Sequence, residues 1–364
     1  MNSTLSVMTT IYLLLFFILL ASIDAQGQSF YTMEDYAAVP KMDVHIHITT
    51  ERGDFVQKAK EDNFRLINVC LEYDNGWEDV YSQYKYGLYH HRESPETVEV
   101  VTAFAVSDWD DPTWEHKVLQ WLEKCFEQGS IGVKVWKNIG MVSRDKNDEL
   151  IWIDDPRFKP IFDYIHSKQK TLMGHLGEPK NCWLPLEEMT TNNDRRYFSR
   201  HPEYHMYLHP EMPSYEEQIA ARDRMLAQNP DISFVGAHLG SLEWSVDELA
   251  RRLDRFPNMS VDLAARMGQV FYQTVDNREK VRDFFIKYQD RILYGTDMGD
   301  HGSASPGDLV NSMEEVWKRD WQFFATNDSM ESDLINEPFQ GLKLPAEVID
   351  KIYLKNALHW FGLE

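Results

Sequence analysis

A chain of 364 residues, 43% hydrophobic and 13% aromatic, can bury a large core; it is long for one ordinary domain but within the range of an α/β barrel. Its formal net charge of -22 and pI near 5.0 argue against nucleic acid and anionic membrane as partners, since both repel an acidic surface. The three cysteines, Cys70, Cys125 and Cys182, are too few for a disulfide framework and match no zinc-binding cysteine spacing.

In chain order, the first feature is an apolar run, "IYLLLFFILLASI" at 11–23, followed by Ala25. It reads as a signal segment over residues 1–25, with a mature domain over 26–364 and export to the periplasm or the exterior. The run is shorter than the roughly 20 residues of a membrane span, so no stable membrane insertion is expected once it is cleaved. "MNSTLSVMTT" carries no lysine or arginine, which keeps an uncleaved anchor as the alternative.

The mature chain opens with "KMDVHIHI" at 41–48. Strand alternation places Asp43, His45 and His47 on one face and Val44, Ile46 and Ile48 on the other. Further strands are expected at 65–72, 100–108, 131–136, 171–178, 233–241, 259–265 and 292–299. Helical stretches fall between them. "PTWEHKVLQWLEKCFEQG" lines up Trp114, Val118, Trp121, Leu122 and Cys125 on one side, and Ser214 with Glu217 forms a capping box before "YEEQIAARDRMLAQ". Eight strands alternating with helices predict parallel pairing and a closed (β/α)8 TIM barrel, with a doubly wound sheet as runner-up. Residues 179–212 form a long polar-aromatic insertion, read either as an active-site cover or as a solvated excursion.

Several chemically capable residues lie at strand ends: His45 and His47 on the first strand, His175 on the fifth, His238 on the sixth and Asp297 on the eighth. In a barrel these ends meet at one mouth, where barrel enzymes place catalytic groups. Three imidazoles and a carboxylate suit one divalent ion, with zinc expected, and leave a position for water. Asp297 could accept the proton of that water, and His238 could orient the nucleophile or act as general acid/base.

The constellation "DVHIH", "GH" at 174–175, "GAH" at 236–238, "GTD" at 295–297 and the closing "LKNALHWFGL" resembles the amidohydrolase superfamily, in particular its amidohydrolase-related branch of hydrolases and decarboxylases. The resemblance implies His45, His47, His175 and Asp297 as metal ligands and His238 as a catalytic residue. It also raises Lys134 in "IGVKVWKN", because some superfamily members carry a carboxylated strand-four lysine that bridges two metals. A lysine paired with an acid or substrate is the other reading. Arg266 is a candidate clamp for a substrate carboxylate, with a structural salt bridge as the alternative.

The remaining histidines carry weaker expectations. His90 and His91 read as surface residues; His116, His166 and His359 as helical packing or solvated positions; His201, His205 and His209 as loop residues that could touch substrate. Trp136, Trp183 and Tyr207 could line a pocket or simply pack. The expected function is metal-dependent hydrolysis of an amide, ester or lactone bond in a small molecule. A nonoxidative metal-dependent decarboxylase is the rival, and an inactive secreted binding barrel the third reading, disfavoured because no ligand residue is missing.

Overall fold

In the computed structural model, which describes residues 29–364, nine strands form one parallel curled sheet. They are β1 (Lys41–Ile48), β2 (Phe64–Val69), β3 (Val98–Ala103), β4 (Gly132–Val135), β5 (Thr171–Gly174), β6 (Phe234–Gly236), β7 (Met259–Asp262), β8 (Ile292–Leu293) and β9 (Met298–Asp300). Their order is β8-β7-β6-β5-β4-β3-β2-β1-β9. The strand expected over 292–299 is thus two short pieces around residues 294–297. Within that break Val44 N–H donates to Tyr294 O at 3.0 Å and Asp297 N–H to His45 O at 2.8 Å, so the chain after β8 runs beside β1. The architecture is consistent with a TIM-barrel α/β fold. The leader read at 1–25 lies outside the described residues. Among those described, no helix is long and apolar enough to cross a membrane.

Apolar side chains sort into two layers, as expected for strands buried on both faces. Met42, Val44, Ile67, Val69, Val101 and Met173 fill the inside of the curl with Val235, Leu293, Ala357 and Phe361. Ile46, Leu66, Val100, Val133, Leu172, Phe234 and Val261 belong to the outer cluster, against the helices. Helix Trp114–Glu127 buries the five residues that its spacing singled out, and the Ser214–Glu217 capping box opens helix Tyr215–Gln228. Asn356 in the C-terminal helix donates to Gln289 O at 2.6 Å and to Ile292 O at 2.7 Å. Those bonds hold Ala357 and Phe361 beneath the strands.

Strand β1 departs from simple alternation. Its register against β2 shifts between Asp43 and Ile46, and such a bulge reverses which face the residues on either side occupy. Val44 consequently points into the curl. Asp43 points outward, accepting hydrogen bonds from Thr296 N–H at 3.0 Å, Thr296 Oγ1 at 2.6 Å and Trp317 Nε1 at 3.2 Å. Asp43 therefore does not share a face with His47.

Two local expectations also change. His90 lies on helix Trp77–Glu93 and is buried, bonded through Nε2–H to Thr50 O at 2.7 Å; it is not a surface residue. The insertion at 179–212 is a built cover. It contains helix Asn192–Arg200 and its own apolar cluster of Cys182, Met189, Phe198 and Met206 with Met141. Asp194 accepts from Asn181 Nδ2 at 2.8 Å and from Gln269 Nε2 at 2.6 Å, tying the cover to the helix after β7. All three cysteines are buried and free.

Candidate active site

The C-terminal strand ends bring His45, His47 and Asp297 together, with one ligand atom of each within 4.8 Å of the others. His45 Nδ1–H donates to Asp262 Oδ2 at 2.9 Å, and His47 Nδ1–H donates to Val69 O at 2.8 Å. With both Nδ1 protons so engaged, both Nε2 lone pairs face inward, the tautomer that a metal-binding imidazole needs. They converge on Asp297 Oδ1, at 3.4 Å from His45 and 3.2 Å from His47. Asp297 adopts φ 67°, an uncommon backbone state for a non-glycine residue that marks a constrained position.

His238 lies two residues beyond β6, not on it. It begins a left-handed turn, with φ 59°, continued by Leu239 at 57° and Ser241 at 56°. Asp262 Oδ1 holds that turn, accepting from His238 N–H at 2.7 Å and Ala264 N–H at 3.1 Å. His238 Nδ1–H donates to Ala264 O at 2.8 Å, which leaves its Nε2 free. The ring stands 4.9 Å from that of His45 and 4.1 Å from that of His175, so His238, His45 and Asp262 form a second potential ligand group. His175 is one ring farther from Asp297 and is not in either group. Its buried Nε2 has no hydrogen-bond partner; the nearest carboxylate is Glu178, at 3.8 Å.

Asp262 is the residue that the sequence reading passed over. It ends β7, where alternation with the outward Met259 and Val261 already places it on the inner face. One carboxylate orients both His45 and His238. Lys134, on β4, is the opposite charge in this cluster, with Nζ 3.3 Å from His45 Nε2. Burial lowers its ammonium to about 8, against the pull of Asp262 and Asp297. Burial likewise pushes His175 and His238 well below the usual histidine range; neighbouring cations add to the effect at His175, whereas at His238 Asp297 opposes it and Arg266 adds to it. Burial opposes charge on Asp297, but the rings of His238, His45 and His47 hold it well below the usual carboxylate range.

This donor set fits a divalent ion. Nitrogen and carboxylate ligand atoms converge, His45 and His47 are each oriented by an outer hydrogen bond, and the buried His175 Nε2 beside them has no partner.

Next to the cluster, the ends of β2 to β5 and the cover enclose a cavity of about 480 Å³, a size suited to a small molecule. Glu178 and Trp136 line it, as does His209 at its rim. Arg266 is buried by the histidines; its Nη1 donates to Ala265 O at 3.1 Å and its Nε has no partner. Among the described residues it forms no salt bridge. His205 is buried and bonded to Leu184 O at 2.8 Å, Trp183 Nε1 donates to Pro213 O at 3.1 Å, and Tyr207 is exposed. These three support the cover; none lines the cavity. His201 is partly exposed, 3.3 Å from Glu203. His91, His116, His166 and His359 all sit on helices.

The family model described as Amidohydrolase (Amidohydro_2) matches residues 99–363. No curated protein matches the chain in sequence. Among solved structures, 2,6-dihydroxybenzoate decarboxylase from Rhizobium superposes with a TM-score of 0.52 at 13% identity, over 89% of this chain and 99% of that one. A 5-carboxyvanillate decarboxylase from Novosphingobium aromaticivorans, complexed with manganese and 4-hydroxy-3-methoxy-5-nitrobenzoic acid, gives 0.50 at 12% identity, over 93% of this chain and 100% of that one. At such identity the likeness is one of fold.

Proposed function

Because the chain belongs to the amidohydrolase family, we propose that it is a metal-dependent hydrolase cleaving an amide, ester or lactone bond of a small molecule within a single closed (β/α)8 barrel. The observation that carries this reading is the convergence of His45 Nε2 and His47 Nε2 on Asp297 Oδ1, with each Nδ1 fixed by an outer acceptor. His45, His47 and Asp297 would hold one divalent ion, zinc in our reading, with His175 as fourth ligand. When bound, such an ion supplies Lewis acidity and lowers the pKa of water in its open position to about 7.

The chain's own groups do the rest. Asp297 accepts the proton of the attacking water, since its carboxylate is ionised. His238 is neutral, with Nε2 free and Nδ1 anchored on Ala264 O, so its Nε2 accepts from that water and positions it, while the proton taken up by Asp297 is the one passed on to the leaving group. Asp262 keeps His45 in its working tautomer and, by accepting from the backbone N–H groups of His238 and Ala264, holds the turn that carries His238. Lys134 balances the two carboxylates; a carboxylated Lys134 bridging a second ion would make His238 a ligand instead.

A decarboxylase on the same scaffold is the second reading, favoured by Arg266, whose unpartnered Nε stands near His175 and His238 and could receive a carboxylate. Metal analysis of the mature protein, with parallel assays for hydrolysis products and for carbon dioxide, tests both. Metal-dependent ester or amide cleavage supports the first, and carbon dioxide release without hydrolysis supports the second. The apolar run at 11–23 supports export; a mature N-terminus near residue 26 is the expected result of N-terminal sequencing, and an intact leader in membranes would indicate an anchor.

A further inference from the structure

The cavity beside the ligand cluster has a chemical bias of its own. Glu72, Asp74, Glu178, Glu203 and Glu211 line it against one lysine, Lys137. Carboxylates in number do not make a site, and most of these are already engaged. Glu72 accepts from Val106 N–H, Ser107 N–H and Asn138 Nδ2. Glu211 faces His209 at 3.5 Å and Glu203 faces His201 at 3.3 Å.

Glu178 differs. Its Oε1 accepts from Lys137, while among the described residues its Oε2 has no donor within hydrogen-bond distance. His175 Nε2, at 3.8 Å, stands beyond hydrogen-bond distance. Glu178 is 5% exposed, so this oxygen is a buried acceptor on the wall of a small cavity, and it calls for a ligand that brings a donor.

The rest of the wall suits an apolar frame. Tyr73 and Trp136 meet edge to face at 5.1 Å, and Met141, Met206 and Met212 lie around them. Aromatic faces and thioethers attract cations and aromatic edges. Arg266, the cation that would suit an anionic ligand, does not line this cavity.

We infer that the cavity takes a substrate bearing a protonated amine on an aromatic or aliphatic frame, with an N–H donor received by Glu178 Oε2 and its scissile end at the histidine cluster. The inference rests on the reading of this site as an enzyme's, because it places the substrate's far end. It names a class that an aromatic acid does not belong to.

Binding of matched probes tests it without turnover. Benzylamine, benzyl alcohol and benzoate are titrated calorimetrically into chelator-stripped mature protein, so that no carboxylate can bind through an ion. The expected order is benzylamine, then benzyl alcohol, then benzoate, with about tenfold or more between the extremes, the gain of one charge-assisted hydrogen bond. Glu178→Gln should bring the three within about twofold. Because that variant leaves Lys137 buried without its partner, Lys137→Gln with Glu178→Gln serves as the second variant. It keeps the net charge of the wall, yet should lose the preference equally. Equal or tighter binding of benzoate, binding of no probe, or a preference that survives the double variant each overturns the inference. Metal-dependent hydrolysis of neutral esters is measured separately, so the proposed function can stand or fall independently.

Discussion

At the N-terminal ends of the strands, Met42, Ile67, Met173 and Leu293 meet Ala357 and Phe361 in an entirely apolar plug. At the C-terminal ends, four histidines, Asp262 and a lysine are buried to a similar degree, around the partly exposed Asp297. The plug needs only volume and apolarity, so its stabilisation is non-directional and tolerant in detail. The mouth needs each polar atom matched, because an unmatched buried one costs on the order of 1–3 kcal/mol. One end holds the sheet together; the other spends stability on holding lone pairs open.

That contrast can be broken in order of effect. Replacing both His45 and His47 by alanine should remove the ion and lower turnover by about 10⁴-fold or more, read by metal analysis and assay. Stoichiometric metal in that variant would refute the ligand assignment. His238→Ala should keep the fold and one ion while turnover falls about 10²–10⁴-fold. If wild type holds two ions and this variant loses one, the bridging role of Lys134 is correct and the single-ion reading is not.

At the opposite end, Phe361→Ala should cost about 3–5 kcal/mol of stability by denaturant titration, with metal affinity unchanged. A matching fall in metal affinity would mean that the two ends are not independent. Asp262→Asn should weaken metal binding by about 10–100-fold through loss of the shared anchor of His45 and His238, measured by competition with a chelator.

The smallest effect concerns Glu243, buried behind the mouth and raised by burial to about 7, with Arg266 opposing. Its folded pKa lies above its unfolded one, near 4.3, so its contribution is fully present below about pH 4 and is lost as pH rises toward 7. The slope for one group is at most about 1.4 kcal/mol per pH unit. Glu243→Gln should flatten the stability profile between about pH 4 and 7; an unaltered slope there would assign it to other groups.

Much was legible in the chain because it is local or periodic. The apolar spacing of Trp114, Val118, Trp121, Leu122 and Cys125 specifies one helix face, and the structure buries that face. The strand–helix alternation gives parallel order, which in turn sends the ends carrying His45, His47, His175, His238 and Asp297 to one side. Residue type then suggests metal chemistry before any distance is known.

What only the tertiary structure decided depends on neighbours far along the chain. The bulge in β1 arises from its ladder with β2, and that single shift turns Asp43 out to Trp317 and Val44 in. Alternation within "KMDVHIHI" cannot reveal it, because a strand read alone has no register. The orientation of His45 comes from Asp262, 217 residues away. The free oxygen of Glu178 exists because Lys137 takes only the other one and the cover encloses the space between them. Composition and period fix which side chains are buried together; which lone pairs remain open is settled by directional contacts between segments that meet only in the folded chain.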